Sequence, residues 1–111
     1  KEDDYPLYAI KIGETVIKEN ARGILICGSG AGASIAANKV RGIRAGLCTS
    51  VRQAASARSD DNINLLCLSA DWVSVEDNQK ITDTFLKTPF SSEERHIRRI
   101  NQIKDYETQK R

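Results

Sequence analysis

The stretch that most constrains this chain is "GILICGSGAGASIAANK", Gly23 to Lys39. A continuous apolar run ends on a cysteine, a glycine-rich turn follows at once, and a small-residue helical pattern comes after it. A short, uniformly apolar run suits a strand covered on both faces, as in a parallel sheet. The turn then hands the chain to a helix on one face of that sheet. Two further units repeat the theme. "IRAGLC", Ile43 to Cys48, is a second strand pattern and "SVRQAASARS" a second helix. "NLLCLS", Asn64 to Ser69, is a third buried strand.

Helices flank these units. From Tyr5 to Lys18, apolar residues recur at Ala9, Ile10, Ile12, Val16 and Ile17, and Pro6 suits a first helical turn. A helix is predicted from Val75 to Lys87, with Ser74 as its cap and Asp77 three residues on. Another follows Pro89, with Ser91 and Glu94 in capping-box positions and Ile97, Ile100 and Ile103 turned inward. Alternating strands and helices predict an α/β fold: a Rossmann-like, three-layer parallel sheet with helices on both faces. The 111 residues suffice for one domain and not two. Three strands are few for so many helices, and the chain opens "KEDDYP" and contains no methionine. Both observations predict a single domain, residues 1–111, that lacks one or two N-terminal strands.

Bulk composition narrows the function only a little. Lys and Arg number 17 against 15 Asp and Glu, a net charge of +2 that gives no reason to invoke nucleic acid. No apolar run approaches the ~20 residues that a bilayer requires, and no signal peptide opens the chain. Three cysteines without CxxC spacing, and one histidine (His96), predict neither a disulfide framework nor a zinc site. A reducing cytoplasm is the expected setting.

"CGSGAG", Cys27 to Gly32, lies where ligands bind in open parallel sheets, beyond the carboxyl ends of the strands. Its glycines permit a sharp turn and let an anion approach backbone N–H groups. It lacks the third glycine of a dinucleotide fingerprint and the Lys-Ser/Thr of a phosphate loop, so a plain tight turn stands beside the anion-binding reading. Cys48 and Cys67 suit small core hydrophobes. Cys27, ending its strand beside a helix N-terminus, is open to either reading: core thiol, or catalytic base or nucleophile. A Cys–His pair would have to use His96. Arg95 and Arg99 share one helix face and could grip a phosphate, or could pair with Glu93 and Glu94 on a solvated face.

Together "DYPLYA" (Asp4 to Ala9), "GILICGSGAGASIAANKVRGIRAGLC" (Gly23 to Cys48), "NINLLCL" (Asn62 to Leu68) and "ERHIRRI" (Glu94 to Ile100) resemble the type B ribose-5-phosphate isomerases, a family that includes allose- and galactose-6-phosphate isomerases. The resemblance spans nearly the whole chain. It implies an aldose–ketose isomerase that moves one proton between neighbouring carbons through an enediolate. Ribose 5-phosphate and ribulose 5-phosphate are the expected pair, with hexose 6-phosphates next. It implies Cys27 as the base, Ser29 (usually Thr in the family) assisting ring opening, and the N–H groups around Gly28, Gly30 and Gly32 holding the oxyanion. Arg95 and Arg99 match the phosphate grip, and Tyr5 lies near the substrate. No metal or organic cofactor is implied. Two subunits would share each site, in a homodimer or homotetramer, with the Asp60 region or the arginines reaching a neighbour's Cys27.

The chain departs from the family in three places. The N-terminal strand with its Asp-His pair has no counterpart, roughly 40 residues, somewhat more than one strand–helix unit. The usual His-Asn-Asp before the third strand is Asp60, Asp61 and Asn62 here. A carboxylate at the ring-opening position can take a proton but cannot donate one as imidazolium does, and it repels phosphate. Ser69 replaces a glycine. A non-catalytic sugar-phosphate-binding subunit is therefore the alternative from another functional class, and a flavodoxin-like binding module the plainest one.

Overall fold

The computed structural model describes residues 4–110. Its elements run α1 (Tyr5–Glu19), β1 (Gly23–Cys27), α2 (Ala31–Ala37), β2 (Ala45–Leu47), α3 (Val51–Asp61), β3 (Leu65–Ser69), α4 (Val75–Lys87) and α5 (Glu94–Lys110). The strands form one parallel sheet in the order β1-β3-β2, with Gly23 opposite Leu65 and Cys27 opposite Ser69. This is the expected α/β architecture. α1 and α2 cover one face around Ala9, Val16, Ala33, Ala37, Leu65 and Cys67. α3 and α4 cover the other around Ala54, Ile63, Leu66, Leu68, Ile81 and Phe85. Each fully buried Leu, Ile or Phe here is worth about 1.5–3 kcal/mol.

Local chemistry sets the boundaries. Asn20 and Asn62 end α1 and α3 in the left-handed region, at φ of 50° and 49°, a conformation that asparagine tolerates better than most residues. Ser50 and Ser74 cap α3 and α4 by accepting from the N–H groups of Gln53 and Asp77. β2 is shorter than the predicted Ile43–Cys48. Asparagine side chains take over the work of a neighbouring strand there: Asn38 exchanges two hydrogen bonds with the Ala45 backbone, and Asn64 Oδ1 accepts from Arg44 N–H.

Three expectations fail. β3 is buried along its whole length, as predicted, but β1 is not covered on both faces: Ile24 is 41% and Ile26 57% exposed. β1 lies at the sheet edge, and these two side chains share the face of Leu66 and Leu68 beyond the reach of α4. Of the three α5 isoleucines only Ile100 is buried, while Ile97 and Ile103 are exposed, because α5 packs on the side of α3 rather than on the sheet. The Ser91 capping box does not form either. Ser92 turns at a φ of +60°, the helix starts only at Glu94, and Ser91 Oγ accepts from Glu93 N–H while meeting His96 Nδ1 at 2.6 Å. Among the described residues, no helix is long and apolar enough to cross a membrane.

Candidate active site

Cys27 is the last residue of β1 and is half-buried, with its thiol free. The chain then bends through Gly28, Ser29 and Gly30 into α2. Gly30 has a φ of +85°, and a Cβ there would stand 2.5 Å from Leu47 Cδ1 and 3.1 Å from Leu68 O. The turn is thus pressed onto the ends of β2 and β3, and only glycine fits. Ser29 Oγ accepts from Ala31 N–H at 3.2 Å, which leaves its own hydroxyl proton to donate elsewhere. No described backbone carbonyl takes the N–H of Gly28, Ser29 or Gly30, so all three are available to a ligand. At Gly32, Tyr5 supplies the wall: its Cζ and hydroxyl lie 2.6 and 2.7 Å from where a Cβ would be.

The turn after β3 closes over Cys27 from the other side. Ala70 N–H donates to Cys27 O and Asp71 N–H to Gly28 O, both at 2.9 Å. Ser69 Oγ donates to Gly28 O at 2.9 Å and accepts from Trp72 N–H at 3.1 Å. Asn78 anchors this turn from α4 by donating to Ser69 O. Ser69 therefore has a structural part that the sequence does not disclose. Asp71 is the residue that sequence reasoning missed. Its Oδ2 lies 2.9 Å from a Cβ position on Gly28, which places a carboxylate at the mouth of the glycine turn. The signal was available: "SADW" follows the carboxyl end of a parallel strand, the same sheet edge as Cys27.

The remaining predicted site residues gather elsewhere. Asp60 and Asp61 end α3, just before β3, at the amino end of the sheet. From there to Cys27 is at least one strand length, roughly 15 Å at about 3.3 Å per residue. Asp60 Oδ2 accepts from Ser56 Oγ, and Oδ1 lies 3.6 Å from His96 Nε2. His96 is 4% exposed; Arg95 Nε donates to its Nε2 at 3.4 Å, and its Nδ1 meets Ser91 Oγ at 2.6 Å. With both ring nitrogens engaged at that end, His96 is no intrachain partner for Cys27. Arg95 pairs with Glu93 at 3.2 Å on an exposed surface, a contact worth under about 1 kcal/mol, and Arg99 lies one turn further along α5. A concavity of about 510 Å³ is lined by Leu47, Cys48, Gln53, Asp61, Ile100 and Ile103 among others. It lies along β2 and α5, and the catalytic thiol candidate is not part of it. Cys48 and Cys67 are buried, and burial pushes their thiols up to about 11 and about 12, with the nearby Cys27 and Cys48 adding to the effect on Cys67. Both are core residues, as expected.

A parallel α/β domain that sets a free thiol at a strand's carboxyl end, over a glycine turn with open N–H groups, is built to handle a small anionic ligand above the sheet. A family model described as Ribose/Galactose Isomerase matches residues 1–103. The probable ribose-5-phosphate isomerase B of Mycoplasma genitalium is 49% identical over 107 residues, covering 95% of this chain and 70% of that protein. Ribose-5-phosphate isomerase B of Mycobacterium tuberculosis is 41% identical over 107 residues, covering 96% and 66%. Among solved structures, type B ribose 5-phosphate isomerase of Trypanosoma cruzi superimposes with a TM-score of 0.93 at 46% identity, covering 96% of this chain and 71% of that one. The Mycoplasma genitalium enzyme with bound ribulose-5-phosphate gives 0.91 at 48% identity, covering 96% and 70%. The chain belongs to the Ribose/Galactose Isomerase family.

Proposed function

We infer that this chain is an aldose–ketose isomerase that interconverts ribose 5-phosphate and ribulose 5-phosphate. The observation that carries the reading is Cys27, a free thiol ending β1 beside three open N–H groups, in a chain 49% identical to a probable ribose-5-phosphate isomerase B. As thiolate, Cys27 takes the proton from C2 of the open-chain aldose. The C–H electron pair becomes the C1–C2 double bond, and the carbonyl pair moves onto O1 to give the enediolate. The N–H groups of Gly28, Ser29 and Gly30 face this developing charge, and donors already aimed there stabilise it without reorganising. Cys27 then returns the proton to C1, which takes up the C1–C2 electron pair, while the O2 hydroxyl passes its proton to O1 and its O–H pair becomes the C2=O2 double bond of the ketose. Ser29, its hydroxyl proton uncommitted, serves the ring oxygen during opening, and Tyr5 and Gly32 bound the substrate.

The reading includes a second copy of the chain. Asp60, Asp61, Arg95 and Arg99 lie a strand length from Cys27, so they act at a neighbour's thiol, with the arginines holding phosphate and Asp60 the ring hydroxyl. Exposed Ile97, Ile103 and Tyr106 on α5 supply apolar surface for a homodimer or homotetramer. Three free thiols suit the cytoplasm.

The test is a coupled assay of ribose 5-phosphate to ribulose 5-phosphate conversion, with wild type beside Cys27→Ala. Loss of a base lowers kcat by about a hundredfold or more. The variant should also keep the wild-type melting temperature and its affinity for ribulose 5-phosphate. Absence of turnover on pentose and hexose phosphates by the folded wild type would leave only a sugar-phosphate-binding subunit.

A further inference from the structure

Open N–H groups on a glycine turn receive a phosphate as readily as the oxyanion of an enediolate. A sugar phosphate offers both. Seated phosphate first, it would fill the turn at Gly28, Ser29 and Gly30 and hold its reacting carbons away from Cys27, bound but unreactive. At that place the structure holds a negative charge. Asp71 is exposed, and its carboxylate has no hydrogen-bond or ion-pair partner among the described residues. It lies so close to Gly28 that a Cβ there would come within 2.9 Å of Oδ2. The backbone that carries it is held in place, tied to Cys27 and Gly28 by the Ala70 and Asp71 N–H groups and by Ser69 Oγ.

Resting on the isomerase reading above, we propose that Asp71 is a specificity-determining residue: its carboxylate bars the phosphate end of the substrate from the glycine turn, so that the sugar enters with its carbonyl carbons first. The repulsion is selective. A phosphate monoester brings nearly two negative charges in the ground state. The enediolate brings one, spread over two oxygens and present only during reaction. The same carboxylate therefore opposes the wrong orientation more strongly than it opposes catalysis.

Unproductive binding lowers kcat and KM together. Asp71→Asn, which keeps the side chain's shape and removes its charge, should reduce both by about threefold or more, without lowering kcat/KM. An unchanged or raised KM would overturn the proposal. A second readout needs no turnover: the alkylation rate of Cys27 by anionic iodoacetate relative to neutral iodoacetamide, followed by peptide mass. Cys48 and Cys67, 1% and 0% exposed, stay silent. Removing the charge at the mouth of the glycine turn should raise that ratio about fivefold in Asp71→Asn and in Asp71→Ser. An unchanged ratio in both folded variants sinks the filter. Should the wild type turn over no sugar phosphate, the isomerase reading falls while the alkylation ratio still decides what Asp71 does to anions.

Discussion

The three thiols of this small domain occupy two different settings. Cys27 ends an edge strand, whereas Cys48 and Cys67 are sealed in the core. Burial raises both core thiols from 9.0, to about 11 and about 12. Between these limits the folded chain keeps protons that the unfolded chain has released. Stability from this source is therefore complete below about pH 9 and declines as pH rises from there toward about 11–12. Urea midpoints at about pH 8 and about pH 10.5 should show the decline, and Cys48→Ala with Cys67→Ala should flatten it. The sequence marked Cys48 and Cys67 as core residues, and it put Cys27 at the end of an apolar run next to glycines while leaving its role open. Asp71 was passed over although "SADW" follows a strand's carboxyl end, because a lone acidic residue there looks like any solvated turn.

At the scale of single elements, caps were legible and long polar side chains were not. Ser50 and Ser74 stand at the helix starts that their chemistry suggests. Ser91 fits the same pattern on paper, but His96 engages its hydroxyl and the helix begins late. Arg58 carries the larger surprise. Arginine is seldom buried, so nothing in "SVRQAASARS" marks it. Yet it is 3% exposed, donating to Ile63 O at 2.6 Å, Asn62 Oδ1 at 2.8 Å and Thr88 O at 3.2 Å, with its guanidinium 5.9 Å from the Phe85 ring centroid. One side chain joins the end of α3, the approach to β3 and the end of α4. Arg58→Met should cost about 2–4 kcal/mol in urea unfolding, because it orphans carbonyls that no water reaches easily. Arg58→Lys should recover little of that, lacking the planar fork.

For the whole molecule, strand–helix alternation specified a parallel sheet, and β3, read as a buried strand, proves to be the central one. Coverage of β1 was not legible, since "GILIC" has the same apolar run whether or not a helix lies over Ile24 and Ile26. Nor could spacing along the chain show that Cys27 and Arg95 lie at opposite ends of the sheet. That separation has a direct consequence in mixtures. Chains carrying Cys27→Ala keep the arginines, and chains carrying Arg95→Ala with Arg99→Ala keep the thiol. If sites are shared between two copies, refolding the two inactive chains together in equal amounts restores about a quarter of wild-type activity, from the one intact site in each hybrid dimer. If each chain works alone, the mixture stays dead.

Trp72 is the only tryptophan in the chain. Its side chain is 79% exposed, and its backbone N–H donates to Ser69 Oγ, which in turn holds Gly28 O. The protein thus carries its own fluorophore at the rim of the glycine turn. Any ligand that settles there shifts the emission of a single indole, so occupancy can be titrated by light without a label, a coupled enzyme or a reaction.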